Sequence, residues 1–322
     1  MAEEKEKKYA IGLDMGGTNS VFGLVNQRGI VEYKTAISTR AYPDVNDYVK
    51  AGVEALRPAI DEVGGIEVIK GMGIGAPNGN FYSGNIEYAP NLLWKGNVPI
   101  AKLFSDALGI PARVTNDANA AALGEMTYGA ARGMRNFVMI TLGTGVGSGI
   151  VVDGNVVYGS DGFAGELGHA IVDRSAEARD CGCGRKGCLE TYCSATGVAR
   201  TARLMLEKTN APSQLRELNP EEITSFDVYK AAEAGEQVAK DIFDYTGRIL
   251  GAACANFALF SAPEAFIFFG GLTKAGHWIM DPIQEAFDEN SLFTFKGKAK
   301  LLVSALDGSE AAVLGASALG WE

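Results

Sequence analysis

Residues 165–190 concentrate side chains that bind metal. They hold one of the chain's two histidines and three of its five cysteines. One imidazole nitrogen and three thiolates, from His169, Cys181, Cys183 and Cys188, are the donor set of a closed tetrahedral zinc site. Such a zinc is structural, because a catalytic zinc keeps one position open. We predict that it fixes the polar side chains of this segment in one geometry.

Disulfides or free thiols are the alternative for these cysteines. The N-terminal sequence MAEEKEKK is charged and no apolar run follows it, so we expect no secretory signal and a cytoplasmic protein. In a reducing compartment, clustered Cys and His residues indicate metal rather than disulfides. Cys193 and Cys254 are then surplus, and we predict that both are ordinary core residues.

Two glycine-rich turns lie between predicted strands, with the sequences DMGGTN at residues 14–19 and TLGTGVG at residues 141–147. Backbone N–H groups of such turns bind phosphate oxygens, Thr18 adds a hydroxyl, and Asp14 can hold Mg²⁺ through water. The second turn lacks the Walker GK[ST] pattern, and a strand rather than the helix of a Rossmann fingerprint follows it. Alone, the first turn also fits a plain type I′ turn, and the second is a weak signal as well. Together they favour a nucleotide bound by two hairpins.

Asn116 and Asp117 stand where a predicted strand ends and a helix begins. Both residue types cap helices. The functional alternative is a carboxylate that orients a hydroxyl and accepts its proton. In a loose phosphoryl-transfer transition state that proton is lost late, so an aspartate with an ordinary pKa of ~3.9 can serve. The local sequence leaves both readings open.

Glu166 and Glu190 flank the zinc ligands. A carboxylate pair could be the acid and base of a glycosidase, but the two glycine turns would then have no purpose. On a zinc-fixed frame they fit better as acceptors for sugar hydroxyls. Further amides that both donate and accept come from residues that could equally be turn residues: Asn78, Asn80 and Asn91.

The elements that position these residues form two rounds of strands and helices. In the first round we predict strands at 9–13, 20–25, 31–37, 68–74 and 112–115, and helices at 42–63 and 100–108. In the second we predict a helix from 116, strands at 137–142 and 150–158, helices over 195–256 with a break at 209–224, strands at 265–269 and 301–306, and a helix at 310–319. The strand–turn–strand unit occurs twice, which predicts a duplicated α/β core with a ligand between its halves.

Length and charge limit the classes of function. The 322 residues suffice for two domains. A net charge of -10 and a pI of about 4.9 argue against nucleic acid and against anionic lipid as partners. No apolar run approaches the ~20 residues that span a bilayer, so no membrane contact is expected. Residues 1–8 are predicted to be a solvated tail.

Five segments in order resemble the ROK family (repressors, open reading frames and kinases), particularly its bacterial glucokinase-like members: DMGGTN, NDANAAALGE, TLGTGVGSGIVVDG, GELGH and CGCGRKGCLE. The resemblance runs from about residue 9 to the C-terminus. It implies a duplicated actin-like ATPase (ribonuclease H-like) α/β fold with structural zinc and a sugar cleft between two domains. We predict an N-terminal domain of residues 1–115 plus about 307–322, and a C-terminal domain of residues 116–306 that carries the zinc module.

The resemblance also implies roles for single residues. Asp117 would be the catalytic base for the sugar's 6-hydroxyl, and His169 would contact the sugar with one ring nitrogen and zinc with the other. The other sugar contacts would be Asn78, Gly79, Asn91, Asn116, Glu166 and Glu190. Nucleotide contacts would be Asp14, Gly16, Gly17, Thr18 and Asn19 at phosphate and Mg²⁺, Thr144 and Gly145 on the other side of the triphosphate, and Gly270 and Gly271 at the adenosine.

The implied activity is the ATP-dependent phosphorylation of a hexose, with glucose first. N-acetylmannosamine and other hexoses or N-acetylhexosamines are alternatives, and a homodimer or homotetramer is expected. Sugar-responsive repressors of the same family carry a DNA-binding domain ahead of the core, whereas eight residues precede the first predicted strand here. A sugar-binding regulator without kinase activity is a third possibility. One departure affects the sugar loop: Asn78 follows the proline of GAPNGN, where the family often has glycine.

Overall fold

The structure is a computed structural model that describes residues 6–306 and 310–321. Predictions for residues 1–5 and 307–309, including most of the solvated tail, lie outside the described residues. The chain divides into two compact units. Unit 1 comprises Met1–Met134, Val156–Ala164 and Ser304–Glu322, and unit 2 comprises Arg135–Asn155 and Gly165–Val303. The domain boundary expected at residue 116 stays a prediction.

Strands and helices alternate along the described chain. The strands are β1 (Tyr9–Met15), β2 (Asn19–Asn26), β3 (Val31–Ser38), β4 (Ile69–Gly75), β5 (Ile86–Glu87), β6 (Asn97–Val98), β7 (Ala112–Thr115), β8 (Phe137–Leu142), β9 (Val146–Val152), β10 (Asn155–Val156), β11 (Ala265–Phe269) and β12 (Lys300–Val303). The helices are α1 (Val45–Glu62), α2 (Ile100–Leu108), α3 (Asp117–Tyr128), α4 (Glu190–Cys193), α5 (Ala195–Lys208), α6 (Ser225–Glu233), α7 (Gln237–Ser261), α8 (His277–Asn290) and α9 (Ala311–Leu319).

The two large sheets have the same strand order. The first runs β3-β2-β1-β4-β7 and the second β10-β9-β8-β11-β12. In the first, β1 is antiparallel to β2 and parallel to β4, which is parallel to β7. In the second, β8 is antiparallel to β9 and parallel to β11, which is parallel to β12. The duplicated α/β core predicted from the two strand–turn–strand units is therefore confirmed.

The second of these hairpins differs from its prediction. The strand predicted at 150–158 is wrong, because β9 begins at Val146 and ends at Val152. Gly147 and Gly149 pair with β8 instead of forming the turn. Asp153 and Gly154 have φ of 56° and 78° and turn the chain, so the remaining residues form the separate strand β10. The last strand is also shorter than predicted, since β12 ends at Val303.

Helix α8 was not predicted, because Pro282 lies inside it and proline usually ends a helix. Packing against α7 overrides this local signal. A Cβ atom at Gly251 of α7 would lie 2.2 Å from the carbonyl oxygen of Ile283 in α8, so the two helices approach closely only because residue 251 is glycine. The helical stretch also continues beyond the predicted residue 256, to the end of α7.

Helix α9 packs directly onto the sheet of unit 1. A Cβ atom at Gly73 of β4 would lie 1.9 Å from the carbonyl oxygen of Ala316, and one at Gly12 of β1 would lie 2.1 Å from that of Val313. Glycines at these strand positions therefore allow the C-terminal helix to pack against β1 and β4. This helix agrees with the one predicted at 310–319.

Each unit has its own hydrophobic core. Cys193 and Cys254 are fully buried in the core of unit 2, which confirms their predicted role. In the part of the chain that the structure describes, no helix has the length and apolar character needed to cross a bilayer.

Candidate functional site

The carboxyl ends of β1, β4 and β7 lie side by side at one edge of the unit 1 sheet. Asp14 pairs with Gly75, and Gly75 pairs with Thr115. Because α3 begins two residues after Thr115, its first residue, Asp117, lies at the same edge. The Cα atom of Asp117 is 3.9 Å from the Cβ position of Gly75. The sheet therefore brings together the two aspartates that the sequence singled out.

Both carboxyl groups have raised pKa values. Burial, and then the negative charge of Asp117, raise the pKa of Asp14 to about 6. Desolvation raises the pKa of Asp117, while the N–H of Ala118, which donates to its Oδ1 at 2.8 Å, opposes the shift. Asp117 remains accessible to solvent although protein surrounds it closely. This is the setting of a carboxylate that can exchange a proton with a ligand.

Asn116 and Asp117 were each predicted to be either a helix cap or a functional residue, and the structure gives the cap to Asn116. Oδ1 of Asn116 accepts the N–H of Asn119 at 2.7 Å, so Asn116 is the N-cap of α3. The carboxylate of Asp117 is not needed for that purpose. A sugar contact of Asn116 stays a prediction, and its amide N–H groups are the donors that would make it.

The first glycine turn closes through a hydrogen bond from the N–H of Gly16 to the carbonyl of Asn19 at 3.0 Å. It is not the type I′ turn considered above, because neither Gly17 nor Thr18 has positive φ. A Cβ atom at Gly17 would lie 2.8 Å from the carbonyl oxygen of Asn91. The turn and Asn91 share a surface cavity of about 660 Å³, whose lining includes Gly17, Thr18, Arg40, Asn91 and Lys95.

Asn78 adopts a left-handed conformation with φ of 52°. Glycine takes this conformation without strain, and asparagine tolerates it better than most residues. The amide of Asn78 donates to the carbonyl of Glu87 at 3.0 Å, and the N–H of Glu87 donates to the carbonyl of Asn78 at 3.0 Å. Asn80 is also a turn residue, whose amide donates to the carbonyl of Asp161 at 2.6 Å. The departure at position 78 thus keeps the backbone conformation of a glycine.

We expect Asn78→Gly to keep stability and sugar KM close to those of the native protein. Asn78→Val should lower the free energy of unfolding by about 1–2 kcal/mol, because a β-branched side chain is strained at positive φ. Thermal unfolding and sugar KM would be measured for both. Lys34→Val, at an exposed strand position of the same unit without positive φ, is the control. Equal stability of the glycine and valine variants at position 78 would contradict the argument.

In unit 2 the second glycine turn lies against a predicted sugar carboxylate. The N–H of Gly143 donates to the carbonyl of Gly145 at 3.1 Å and closes the turn. Oε2 of Glu190 is 2.7 Å from the Cβ position of Gly145, so the carboxylate touches the backbone of the turn. The hydroxyl of Thr196 donates to the carbonyl of Thr144 at 2.8 Å. Two predicted sites, for phosphate and for sugar, therefore adjoin.

The end of β11 approaches the same turn. Gly270 has φ of 116°, and a Cβ atom there would lie 2.4 Å from the carbonyl oxygen of Leu142. A neighbouring cavity of about 490 Å³ is lined by residues that include Gly143, Thr144, Phe226, Tyr229, Gly271 and Lys274. Phe226 and Tyr229 were not predicted from the sequence. Their signal is weak: two aromatic residues three apart on a short helix, one of them 63% exposed.

The four predicted zinc ligands form one cluster, with their donor atoms within 4.8 Å of one another. Nδ1 of His169 is 3.7 Å from Sγ of Cys181, and Sγ of Cys183 is 3.6 Å from Sγ of Cys188. Sulfurs bound to one tetrahedral zinc at ~2.3 Å lie ~3.8 Å apart. The donor set and its spacing therefore fit structural zinc. Sγ of Cys181 is also 3.0 Å from Oε1 of Glu190, so that carboxylate borders the cluster.

A buried arginine, which sequence analysis missed, supports the zinc segment. The guanidinium of Arg179 donates to the carbonyl of Thr191 at 2.8 Å and lies 4.4 Å from the centre of the Tyr192 ring. The hydroxyl of Tyr192 donates to Asp173 at 2.6 Å. This network fixes α4, whose first residue is Glu190. No local pattern marks an isolated arginine as buried.

Gly79 is buried, and a Cβ atom there would lie 2.3 Å from the carbonyl oxygen of Thr115. Glu166 is exposed and directly precedes the turn Leu167–His169. The second histidine, His277, is the first residue of α8 and is also exposed.

Residues 10–322 match the family model described as the ROK family. The chain belongs to the ROK family. It is 35% identical to a protein named glucokinase of Halalkalibacterium halodurans over 98% of this chain and 94% of that one. It is 32% identical to a protein named glucokinase of Thermotoga maritima over 97% of each chain.

Solved structures of ROK proteins have the same fold. A ROK family glucokinase from Streptomyces griseus, in complex with glucose and AMPPNP, matches with a TM-score of 0.78 and 32% identity over 97% of this chain and 98% of that one. A ROK family transcriptional regulator, described as a homolog of the E. coli MLC protein, matches with a TM-score of 0.85 and 27% identity over 97% of this chain but 77% of its own. The predicted actin-like ATPase fold of this ROK protein is confirmed.

Proposed function

We propose that this ROK protein is an ATP-dependent kinase that phosphorylates the 6-hydroxyl of a hexose, and that its principal substrate is glucose. The convergence of Asp14 and Asp117 beside a glycine turn carries the reaction type. The relatives named glucokinase, which align over nearly the whole chain, support the choice of sugar. The products are glucose 6-phosphate and ADP.

Asp117 orients the 6-hydroxyl and accepts its proton. Its raised pKa makes the carboxylate a better base than a fully hydrated one, and its place at the start of α3 fixes its position. Because phosphoryl transfer passes through a loose transition state, positioning and stabilisation of charge supply most of the catalysis.

Each glycine turn offers donors to phosphate. In unit 1 these are the backbone and hydroxyl groups of Gly16, Gly17, Thr18 and Asn19, and in unit 2 those of Thr144 and Gly145. Asp14 would hold Mg²⁺, and the ion bound with ATP would supply positive charge that stabilises phosphoryl transfer. Gly270 and Gly271 contact the adenosine, and we add Phe226 and Tyr229, which line the cavity beside Gly271.

The sugar is held by amides and carboxylates on rigid supports: Asn78, Gly79, Asn91, Asn116, Glu166, His169 and Glu190. Carboxylates that accept hydrogen bonds from sugar hydroxyls reject analogues without them. His169, Cys181, Cys183 and Cys188 would hold a structural zinc, which would fix His169 and the segment that leads to Glu190. Nδ1 of His169 is on the cysteine side, so Nε2 is the nitrogen available to the sugar.

A coupled ADP-release assay with MgATP and a panel of sugars tests this proposal. The panel comprises glucose, mannose, fructose, N-acetylglucosamine and N-acetylmannosamine. We expect the highest kcat/KM on glucose. Turnover mainly on an N-acetylhexosamine would support the kinase reaction but show that the substrate is an amino sugar rather than glucose. No turnover on any sugar, with zinc present, would refute the kinase and favour a sugar-binding regulator.

The raised pKa of Asp14 predicts an acid limb in the pH profile. The group must be ionised to hold Mg²⁺, so kcat/KM should fall tenfold per pH unit below about pH 6. Saturating Mg²⁺ should move this midpoint to lower pH, because a nearby cation favours the ionised form. The free energy of unfolding should change in the opposite direction to activity. Because the pKa of Asp14 is raised in the folded protein, the stability present when Asp14 is protonated is lost as pH rises through about 6. An acid limb that ignores Mg²⁺ would remove Asp14 from this role.

We also propose that the protein is a homodimer. A groove of about 910 Å³ on unit 2 supports this, because apolar Ile171, Val172 and Ile249 line it together with both arginines and aspartates. A surface with both charges can pair with a second copy of itself. Light scattering during size-exclusion chromatography measures the mass, and a 34.0 kDa particle would refute the dimer.

A further inference from the structure

The carboxylate of Glu190 lies where a polyphosphate chain would feel its charge. We call Gly143–Gly145 the phosphate loop. Oε2 of Glu190 is 2.7 Å from the Cβ position of Gly145, so little space separates the carboxylate from the loop backbone. A negative charge at this distance opposes the approach of a second anion, and the effect is larger beside protein than in bulk water.

Hydrogen bonds tie the start of α5, which follows the short helix of Glu190, to the phosphate loop. The N–H of Ala195 donates to the carbonyl of Gly143 at 2.8 Å, and the hydroxyl of Thr196 donates to that of Thr144 at 2.8 Å. The hydroxyl of Ser194 donates to the carbonyl of Glu190 at 2.6 Å. These bonds link the backbone of Glu190 to the loop, and the contacts of its Oε1 with Cys181 and His169 keep the carboxylate on this side.

The immediate surroundings do not neutralise Glu190. Its contacts are the thiol of Cys181 at 3.0 Å and the imidazole of His169 at 3.6 Å. Among the described residues, no Lys or Arg lies within ion-pair distance of this carboxylate. A zinc ion with three thiolates and one neutral imidazole would carry a net negative charge as well.

We propose that Glu190 is an electrostatic gate for the nucleotide. Without sugar, its carboxylate weakens triphosphate binding at the phosphate loop. Sugar hydroxyls that donate to the carboxylate disperse its charge and remove this opposition. This proposal rests on the proposed function, which assigns sugar to Glu190 and triphosphate to the loop. It makes sugar and nucleotide bind with positive coupling, and it suppresses ATP hydrolysis when no sugar is bound.

Calorimetric titration with Mg²⁺ and AMPPNP, with and without saturating glucose, tests the gate in the native protein and in Glu190→Gln. Native protein should bind AMPPNP more tightly with glucose. Without glucose, Glu190→Gln should bind AMPPNP about fivefold or more tighter than the native protein, and this gain should shrink from about 0.05 to about 0.5 M salt. A residue that only binds sugar would leave AMPPNP affinity in the absence of glucose unchanged, and that result would overturn the gate.

Two further variants separate charge from structure. Asp180→Asn removes a carboxylate of the same segment that pairs with Lys186 at 3.2 Å, and it should leave AMPPNP affinity unchanged. Thr196→Val should weaken AMPPNP binding with and without glucose, and Thr196→Ser should restore it. An equal gain in Asp180→Asn would overturn the gate as a local effect.

The gate and the kinase fail in different experiments. The comparison of native protein with Glu190→Gln in the absence of glucose needs no sugar and no turnover. Absence of turnover on every sugar would refute the kinase, whereas unchanged AMPPNP affinity in an active enzyme would refute the gate alone.

Discussion

Asp117→Asn should lower kcat on glucose by about 10³-fold or more while the Kd for glucose stays within about threefold. General-base catalysis accounts for about 10²–10⁴-fold in rate, and the amide cannot accept the proton of the 6-hydroxyl. The side chain keeps its shape, and its oxygen can still accept the N–H of Ala118, as Oδ1 of Asp117 does at 2.8 Å. The coupled assay gives kcat, and calorimetry gives the Kd.

Stability should change in the opposite direction to activity. Because desolvation raises the pKa of Asp117, its ionised form is disfavoured in the folded protein at neutral pH. A neutral isostere removes that penalty, so the Tm of Asp117→Asn should be equal to or higher than that of the native protein. This separates loss of the base from loss of the fold.

Asp106→Asn is the matched control for this substitution. Asp106 lies in the same unit, is exposed and pairs with Lys102 at 2.6 Å within α2. The change should leave kcat within about twofold, since exposed ion pairs contribute little. Retention of turnover in Asp117→Asn would show that another group takes the proton, and the mechanism would have to be rebuilt without Asp117.

The features predicted well from sequence depend on short-range spacing. The predicted zinc ligands lie within 20 residues, and their residue types are those of a structural zinc site. The hairpin around Asp14 and the end of β7 before Asp117 follow from apolar runs beside glycine or cap residues. The register that aligns Asp14, Gly75 and Thr115 is the long-range step, and parallel pairing brings their strand ends together.

The features missed depend on contacts between distant residues. α8 exists because Gly251 of α7 admits its backbone, and this outweighs the proline inside it. The start of β9 was placed too late because its glycines resemble a turn, although they pair with β8. Arg179 looks like a surface cation until the ring of Tyr192 covers it. The left-handed φ of Asn78 likewise cannot be predicted from its residue type alone.

We expect the loss of zinc to reduce both the stability of the protein and its affinity for sugar. Cys188→Ala removes one of the four proposed zinc ligands, and Cys188 is fully buried two residues before α4. We expect the variant to lose its zinc and about 3 kcal/mol or more of unfolding free energy, because metal binding and folding of such segments are linked. The KM for sugar should rise at least about tenfold, since His169 and Glu190 would no longer be held. AMPPNP should still bind, because the first glycine turn and Asp14 lie in unit 1.

Cys254→Ala is the control that isolates the metal from the loss of a buried thiol. Cys254 is also fully buried, but it lies in α7 within the core of unit 2 and is not part of the cluster. Its removal leaves a small cavity that costs about 1 kcal/mol, so zinc content and sugar KM should stay at native values. Metal analysis by mass spectrometry and thermal unfolding would be compared for the two variants. One zinc per chain in Cys188→Ala would disprove the ligand set. Zinc loss with an unchanged sugar KM would instead show that zinc stabilises the fold without positioning the sugar contacts.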